Sequence, residues 1–596
     1  MKKRNQNQES DHYDLLTKAG EEGAHKENWN VHPRPQLKRE RYFSLNGEWK
    51  LNGQPIRVPF VPQSVLAEHP FETGKELLYI KEFILPDFFT KDRVLLHFGA
   101  ADQIAEVWVN GACVGTHEGG YLAFTFDITK QVKRKEQNQL VVKVTDTLSH
   151  DYPYGKQRTK RGGMWYTPIS GIWQSVWLEN VPGDYVENLV IKPDLLGITV
   201  CVKINDTKSA AEKRAEMDVQ SAVSQGFKAI ITLHNGEILE KSFDETVGYI
   251  NLTEYICTDG SSYVPKLWSV EEPYLYSMKI MAAQDEVETY FALRTITIEK
   301  MDGIHRVCLN GSPIFMHGVL DQGYFSDGIY LPAEPWEYER DVLRMKELGF
   351  NLLRKHIKIE PESFYYYCDK HGMLVMQDMV NNGDYSFLRD TALPTIGLKK
   401  RKDKKNGNTC RKQIFKEQTR KTIKQLYNHP CIIAYTIFNE GWGQFDSDEM
   451  YDLVKKLDDT RLIDATSGWF HQEKSDFDSE HIYFRTIDLK VKERPLFVSE
   501  CGGFSRVIEG HFYNKYKTYG YGSAESEEAL TDMITNMYRK MILPGIPKGV
   551  CGCVYTQLSD VEDEVNGLYT YDRKVCKVNK ESMLHLANEL KIVENR

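Results

Sequence analysis

Between about residue 40 and residue 182, hydrophobic and polar positions alternate along short segments of the chain. Examples are KEFILPD, RVLLHFG, AEVWVNG, AFTFDIT and LVVKVTD, which are separated by glycine, asparagine and charged turns. A period of two places alternate side chains on opposite faces of a strand. Many short strands of this kind predict a β-sandwich over residues 40–182.

A second set of alternating segments follows Pro182. It includes LVIKPDLLGITVCVKI, KAIITLH and YLYSMKIMAA, and it ends near LRTITIEK. This pattern predicts a second, smaller β-sandwich over residues 183–299. Residues 1–39 are polar and aperiodic, so we interpret them as a loosely ordered N-terminal arm.

The pattern changes over residues 300–596, where buried strands alternate with amphipathic helices. Eight strand candidates occur in about 300 residues, a number that predicts a (β/α)8 barrel. Helix candidates such as PWEYERDVLRMKELGF and EALTDMITNMYRKMI lie between them. The strand candidates are IFMHGV, NLLRKH, LLVMQD, IIAYTIFNE, LIDATS, EHIYF, LFVSE and GCVYTQLSD.

Polar side chains stand where these strands end. In a barrel of this kind the carboxyl ends of the strands meet at one mouth, which carries the chemistry. Chance can explain one polar residue at a strand end more readily than it can explain a cluster of them at one mouth. The residues concerned are Arg354, His356, Asp378, Asn439, Glu440, Tyr483, Glu500, Ser559 and Asp560.

Two of the four carboxylic acids in this set are glutamates on strands three apart. Glu440 ends the fourth strand in YTIFNEGWG, and Glu500 ends the seventh in PLFVSECGG. Hydrolysis of a glycoside needs one carboxyl group to protonate the leaving oxygen and another at the anomeric centre, and a separation of about 5 to 5.5 Å implies a covalent intermediate with retention. Tyr483 ends the sixth strand, where its hydroxyl would hydrogen-bond Glu500, although a packed barrel tyrosine is an equal alternative.

Other strand-end residues have a binding interpretation and a structural one. Asp321, after the first strand, would bind sugar hydroxyls or be an ordinary loop aspartate. Trp442 and Tyr555 would stack on a sugar ring or belong to the core. The loop RGGMWYTPISGIW, Arg161 to Trp173, would reach the barrel mouth or only pack between domains.

Net charge and composition limit the classes of partner that we expect the chain to bind. The chain has 596 residues and a net charge of -9, which gives no general reason to bind nucleic acid. We expect no membrane segment, no secretory signal and a cytoplasmic location, with 11 cysteines mostly reduced. No metal-binding or phosphate-binding motif occurs, so we expect no cofactor and no metal. The basic run Leu398–Gly407 favours a solvated or mobile insertion, and a homo-oligomer is left open.

The order of two sandwiches and a barrel, with FNEGWG and PLFVSECGG on its strands, resembles glycoside hydrolase family 2, the group of β-galactosidases, β-glucuronidases and β-mannosidases. SLNGEWKL, VWVNGACVGTHEGGYLAF, LWSVEEPYLYSMKI and LNGSPIFMHGV support the resemblance. It implies that the first domain is a jelly-roll, sugar-binding-like sandwich, that the second is immunoglobulin-like, and that the third is a catalytic TIM barrel.

The resemblance also implies roles for single residues. Glu440 would be the acid/base, Glu500 the nucleophile and Tyr483 a support of the nucleophile, while Asn439 would bind the sugar's 2-hydroxyl and Arg354 would support the nucleophile end. His356 stands closer to Arg354 than the family's usual arginine-to-histidine spacing, and MQDM replaces an Asp-Glu pair. Glu564 and Asn566 stand where β-glucuronidases have Asn-x-Lys, which disfavours glucuronides.

We therefore predict a retaining, exo-acting β-glycosidase that hydrolyses terminal sugars, with β-galactosides as the first candidate. The same mechanism on an arabinoside, galactofuranoside, mannoside or glucoside is an alternative. A catalytically inactive carbohydrate-binding protein is another, and sugar binding without turnover would identify it.

Overall fold

The chain folds into two β-sandwiches followed by a (β/α)8 barrel, which confirms the predicted fold class. The computed structural model describes residues 11–594 except 24–25, 27–28, 71–74, 206–225, 396, 399–402, 404–407 and 484. The predicted basic insertion at 398–407 thus lies almost wholly outside the described residues. Among these residues no helix is both long enough and apolar enough to span a bilayer.

The first sandwich packs a six-stranded antiparallel sheet on a four-stranded one. Alternation explains its core: the strand Gln137–Thr145 turns Leu140, Val142 and Val144 inward. Its strands are Tyr42–Ser44, Gly47–Leu51, Gln54–Val58, Glu76–Ile84, Arg93–Phe98, Ile104–Val109, Ala112–Glu118, Phe124–Asp127, Gln137–Thr145 and Val176–Val181, with a short pair formed by Ala101–Asp102 and Gly171–Ile172.

The second sandwich has sheets of three and four strands. Its strands are Tyr185–Pro193, Gly197–Asn205, Phe227–Thr232, Ile238–Phe243, Val247–Asn251, Tyr276–Ala282 and Asp285–Phe291. A small antiparallel sheet leads from it into the barrel and comprises Ile296–Met301, Ile304–Leu309 and Ser312–Pro313.

The barrel sheet has eight parallel strands in the spatial order 5-4-3-2-1-8-7-6. The fifth and sixth strands meet where Ser479 Oγ donates to Asp464 Oδ2 at 2.8 Å, so the sheet closes on itself. The strands are β1 (Met316–Asp321), β2 (Leu352–Lys355), β3 (Leu374–Asp378), β4 (Ile432–Asn439), β5 (Leu462–Ser467), β6 (Asp478–Ile482), β7 (Leu496–Gly502) and β8 (Val550–Thr556).

Helices cover the outside of the barrel, and capping residues begin several of them. Ser526 Oγ accepts from the backbone N–H of Ala529 at 3.1 Å, as a serine N-cap does. The α-helices are Lys18–Glu22, Trp336–Glu347, Glu362–His371, Leu393–Thr395, Thr409–Leu426, Ser447–Leu457, Glu527–Met537 and Lys580–Glu594. Shorter 3₁₀ and π turns cover Val65–Ala67, Leu252–Glu254, Leu388–Ala392, Tyr538–Ile542 and Leu543–Lys548, and a two-stranded sheet pairs Phe504–Ser505 with Tyr521–Ser523.

The first sandwich and the barrel share one continuous hydrophobic core, whereas the second sandwich has a core of its own. The described part of the N-terminal arm also joins the barrel. Trp29 is buried and donates its indole N–H to Pro332 O at 3.0 Å, and Thr17 Oγ1 donates to Asp327 at 2.6 Å. This part of the predicted loose arm is therefore held in place by specific contacts.

Arg39 joins the two sandwiches. Its guanidinium lies 2.5 Å from Glu179 of the first sandwich and 2.8 Å from Asp285 of the second, and all three side chains are buried. Replacing Arg39 with Met should lower the free energy of unfolding by about 3 to 5 kcal/mol, because two buried carboxylates lose their cation.

Urea unfolding followed by tryptophan fluorescence measures this loss. Lys38→Met is the matched control, because the Lys38 side chain is exposed and its Nζ lies 4.0 Å from the exposed Glu288 carboxylate. It should change the free energy of unfolding by less than about 0.5 kcal/mol. Equal unfolding midpoints for the two variants would contradict the role assigned to Arg39.

Candidate active site

Glu500 lies on β7 at the barrel mouth and is 5% exposed. Arg354 Nη1 donates to its Oε1 at 3.1 Å, and the Tyr483 hydroxyl donates to its Oε2. Burial alone raises the pKa of Glu500, but the charges of His481, Arg354 and His356 and the hydrogen bond from Tyr483 lower that pKa to about 2. Glu500 is therefore a carboxylate at neutral pH.

Arg354 is the hub of the polar network. Its guanidinium forks onto Asp378 at 3.1 and 3.0 Å and also donates to Asn439 Oδ1 at 2.9 Å. His356 Nδ1 lies 2.8 Å from the same Asp378 carboxylate. Arg354, Asp378 and Asn439 come from the neighbouring strands β2, β3 and β4, so the aspartate at the end of β3 is a partner of the arginine on β2.

Glu440 directly follows β4 and faces the mouth from the other side. Its φ of 54° turns the chain sharply at the strand end, and its backbone N–H donates to Ser467 O at 3.0 Å. The carboxylate Oε1 lies 2.9 Å from His481 Nδ1, and the side chain remains 14% exposed. The carboxyl group of Glu440 is thus held in place yet open to the mouth.

His481 connects the two carboxylates, and the sequence analysis did not identify it. Its Nδ1 contacts Glu440, while its Nε2 lies 3.1 Å from Ser467 Oγ and 3.6 Å from Glu500 Oε1. One donor atom from each of Glu440, His481 and Glu500 lies within 4.8 Å of the others. The segment EHIYF contains a pattern that could have identified His481. It stands two positions before Tyr483, so both side chains lie on the same face of the strand.

Among the residues that the structure describes, Glu440, His481 and Glu500 have donor atoms close enough to one another to share a metal ion. Their contacts with one another, with Arg354 and with Tyr483 already account for their positions. We assign no metal to them, and none of the chemistry below requires one.

Two predicted sugar-binding residues have other surroundings in the structure. Asp321 Oδ2 pairs with Lys355 Nζ at 2.5 Å, and its Oδ1 accepts from the Gly323 N–H at 2.8 Å, so both oxygens are engaged. Tyr555 is 1% exposed and lies against Gly502, where an added Cβ would come within 2.4 Å of its ring. These contacts favour the structural interpretation of Asp321 and Tyr555 over the binding one.

Trp442 belongs to an aromatic wall beside Glu440. Its ring lies 5.4 Å from Tyr154, 5.0 Å from Trp165 and 6.0 Å from Tyr385, all in edge-on arrangements. Trp442 itself is 3% exposed and donates to a backbone oxygen at 3.1 Å. Because Tyr154 and Trp165 come from the first sandwich, that domain forms part of the mouth.

The loop from the first sandwich also contacts the segment after β8. The Tyr166 hydroxyl donates to Glu564, and the backbone N–H of Thr167 donates to Glu562 Oε1 at 2.9 Å. Trp173, farther along, is buried in the core. The beginning of the Arg161–Trp173 loop therefore reaches the barrel mouth, while its end packs between domains.

Glu564 lies in the segment after β8 and interacts electrostatically with Glu500. It accepts from Gln557 Nε2 at 3.2 Å as well as from Tyr166. Burial raises its pKa to about 7, and the charge of Glu500 also raises it, while Lys156 and the two hydrogen bonds lower it. Glu564 therefore loses its proton near neutral pH.

Comparison with known proteins agrees with this fold. Three models match: "Glycosyl hydrolases family 2, sugar binding domain" at residues 22–182, "Glycosyl hydrolases family 2" at 185–294 and "Glycosyl hydrolases family 2, TIM barrel domain" at 303–500. The solved β-D-glucuronidase of Dictyoglomus thermophilum has the same fold, with a TM-score of 0.70, 18% identity and coverage of 94% of this chain and 98% of that chain. The Ruminococcus gnavus β-glucuronidase has a TM-score of 0.69, 18% identity and coverage of 95% and 100%.

Curated proteins that resemble the chain in sequence are named as β-galactosidases and β-glucuronidases. The chain is 26% identical to a β-galactosidase of Thermoanaerobacter pseudethanolicus over 393 residues, which are 64% of this chain and 47% of that protein. It is 27% identical to a β-glucuronidase of Bacteroides fragilis over 404 residues, 65% of this chain and 53% of that protein. The chain thus spans about half the length of these curated relatives. With models of one family matching consecutive regions from residue 22 to residue 500, the chain belongs to glycoside hydrolase family 2.

Proposed function

We propose that this chain is a retaining, exo-acting β-glycosidase, with Glu500 as the nucleophile and Glu440 as the acid/base. The observation that carries the proposal is the pair of carboxyl groups, whose oxygens approach within 4.8 Å across the mouth. Retaining glycosidases have carboxyl groups about 5 to 5.5 Å apart, whereas inverting enzymes need about 6.5 to 9.5 Å to admit a water. Membership of a family of glycoside hydrolases supports a carbohydrate substrate.

The proposed reaction has two displacements. In the first, the Glu440 carboxyl group donates its proton to the glycosidic oxygen while a Glu500 oxygen bonds to the anomeric carbon and the aglycone leaves. In the second, the Glu440 carboxylate takes a proton from water, the water oxygen bonds to the anomeric carbon, and the bond to Glu500 breaks. Two inversions give net retention, and Arg354 and Tyr483 stabilise the Glu500 carboxylate when it leaves.

Neighbouring residues orient the sugar in this proposal. Asn439 accepts from Arg354 through Oδ1, so its amide Nδ2 is directed elsewhere and is available to donate to the sugar's 2-hydroxyl. His356 is held by Asp378 on the same side of the site. Exo action is supported by the walls of the mouth, because the first-sandwich loop and the segment after β8 join at Tyr166 and Glu564.

β-Galactosides are the first glycone to test, as the sequence analysis predicts and as the names of several relatives suggest. A panel of 4-nitrophenyl β-glycosides, with the first-formed anomer followed by NMR, tests the reaction. We expect the β-anomer of the released sugar to appear first. Initial release of the α-anomer would contradict retention, and sugar binding without turnover of any glycoside would favour the inactive binding protein.

The loss of rate caused by Glu440→Ala should depend on the leaving group of the substrate. A 2,4-dinitrophenyl glycoside needs little protonation, so its glycosylation rate should fall less than about tenfold, whereas a methyl or sugar aglycone should lose at least about 10²-fold to 10⁴-fold. Stopped-flow and steady-state rates on a leaving-group series measure this difference. An equal loss for all leaving groups would exclude Glu440 as the general acid.

A further inference from the structure

Part of the N-terminal arm lies along the loop that connects β7 to the next helix, residues 503–526, which we call the β7 loop. The Tyr13 N–H donates to Tyr513 O at 2.9 Å, and the Lys515 N–H donates to Asp11 O at 3.1 Å. The two segments run antiparallel, as neighbouring strands of a sheet can. The proposed mechanism does not use this pairing, so its presence beside the barrel mouth needs an explanation.

Side chains fix the same pairing. The His12 ring stacks on Tyr513, with ring centres 4.7 Å apart and an interplanar angle of 17°, and the Tyr13 ring meets Phe512 edge-on at 5.4 Å. Lys515 Nζ lies 5.0 Å from the centre of the Tyr13 ring, within the range of a cation–π contact. Ordering a polar, aperiodic segment costs conformational entropy, and these contacts offset that cost.

Arg161 of the first-sandwich loop joins the arm to the barrel. Its Nη2 donates to both carboxylate oxygens of Asp11 at 3.1 and 3.0 Å, and its Nη1 donates to Asp563, in the segment after β8, at 3.4 Å. Its guanidinium carbon lies 5.0 Å from the centre of the Tyr513 ring. Asn514 Nδ2 donates to the same Asp563 oxygen at 2.7 Å. Four segments that are far apart in sequence therefore meet around one cation.

The β7 loop continues from this junction along the segment after β8. The Tyr519 N–H donates to Asp563 O at 2.6 Å, and Tyr519 O accepts from the Val565 N–H at 2.9 Å. The Tyr519 hydroxyl lies 3.1 Å from the hydroxyl of Tyr521. The loop is therefore fixed on both sides of residues 516–518, which are exposed.

Tyr521 packs against the tyrosine that donates to the proposed nucleophile. Its ring centre lies 4.8 Å from that of Tyr483, and its N–H donates to Gly503 O at 2.8 Å. A Cβ added to Gly503, whose φ is 76°, would come within 2.6 Å of the Tyr521 ring. The Tyr483 hydroxyl in turn donates to Glu500. Contacts thus run without a break from the arm, through the β7 loop and Tyr521, to Glu500.

We propose that residues 11–13 of the arm position the β7 loop and, through Tyr521, keep the Tyr483 hydroxyl on the proposed nucleophile. This inference rests on the proposed function, in which Glu500 is that nucleophile. A displacement of about 1 Å at a reacting group costs about 10²-fold in rate. When the contacts of the arm are removed, the β7 loop moves more freely and Tyr483 is held less firmly.

Replacement of Asp11, His12 and Tyr13 together with Ala, the arm variant, should change kcat more than KM. On the best 4-nitrophenyl glycoside of wild type, we expect kcat to fall roughly 5-fold to 20-fold and KM to change less than about threefold, because the sugar contacts stay while the nucleophile is held less well. A variant with Asp11→Glu and Tyr13→Phe keeps the charge and the ring, so it should retain at least about half of the wild-type kcat.

Glu22→Ala is the matched control, because Glu22 is an exposed carboxylate of the same arm and lies 3.8 Å from the exposed Lys18. It should keep the wild-type kcat. An arm variant with the same kcat as wild type would overturn the inference.

A double-mutant cycle with Tyr483→Phe separates positioning from a general loss of stability. If the arm acts through the Tyr483 hydroxyl, adding the arm replacements to Tyr483→Phe should lower kcat by less than about a further twofold. Tyr521→Ala alone should reproduce the loss seen in the arm variant. A further loss of roughly 5-fold to 20-fold in the Tyr483→Phe background would show independent effects and overturn the inference.

Hydrogen exchange followed by mass spectrometry keeps the test independent of turnover. The amides of residues 512–523 should exchange at least about fivefold faster in the arm variant than in wild type, while those of the helix Ser447–Leu457 serve as the reference and exchange equally in both. Unchanged exchange of residues 512–523 would overturn the inference. Failure of wild type to hydrolyse any glycoside would instead overturn the proposed function, and the exchange comparison would still decide whether the arm holds the β7 loop.

Discussion

Glu500→Ala is expected to reduce turnover of an aryl β-glycoside by at least about 10⁴-fold, because the anomeric carbon loses the group that bonds to it. Azide should partly restore the rate by occupying the space of the lost carboxylate. Azide attacks from the same face as Glu500, and no second displacement follows, so the product should be the α-glycosyl azide. Steady-state rates with and without azide, together with NMR of the product, measure both effects.

Glu509→Ala is the control for this replacement, since Glu509 is an exposed carboxylate a few residues farther along the chain. The Glu509→Ala variant should turn over the aryl β-glycoside at the wild-type rate. Full activity of Glu500→Ala, or a β-glycosyl azide as its product, would remove Glu500 from the role of nucleophile.

Arg354→Ala should cost both activity and stability. The guanidinium is fully buried and engages Asp378 and Glu500, so its loss leaves two buried carboxylates without a cation. We expect the free energy of unfolding to fall by about 3 to 5 kcal/mol at pH 7. Turnover should fall by at least about 10²-fold, because Glu500 and Asn439 lose the group that positions them.

The stability loss should depend on pH in a defined direction. The pKa values of Asp378 and Glu500 are lowered in the folded chain: burial raises each, but Arg354 and the neighbouring histidines outweigh it. Such a carboxyl adds stability that is fully present above its unfolded pKa, about 4, and is lost as pH falls through the folded value. Without Arg354 the folded pKa values rise, so the difference from wild type should be largest at neutral pH and shrink towards pH 4.

Urea unfolding at pH 7 and pH 4 measures this dependence. Arg354→Lys keeps a cation but cannot fork onto Asp378 while also contacting Glu500 and Asn439, so it should lie between wild type and Arg354→Ala. A loss for Arg354→Ala that grows as pH falls would contradict the assignment of the buried charges.

The architecture could be predicted because strands and helices have different periods, and the barrel follows from eight alternations of the two. The same logic predicts which residues end the strands, and the structure brings Arg354, Asn439, Glu440, Tyr483 and Glu500 to one mouth. Their catalytic roles stay proposals. Position along a strand therefore carries much of the information about this site.

What could not be predicted depends on contacts between distant segments. His481 was passed over because a histidine inside a short strand has no distinguishing spacing, although it shares a face with Tyr483. For Tyr555 the sequence left a sugar-stacking position and a core position both open, because a pattern does not say which side of a barrel wall a ring occupies; in the structure Tyr555 packs against Gly502.

The loop that carries Tyr166 belongs to the first sandwich, whereas the two carboxyl groups proposed to react belong to the barrel. Under the proposed function, the bond-cleaving pair and part of the wall around the sugar are therefore encoded in separate stretches of the gene. Because the sandwich and the barrel share one hydrophobic core, exchange of this loop alone, rather than of the whole sandwich, is expected to change the surroundings of a bound sugar while Glu440 and Glu500 stay in place.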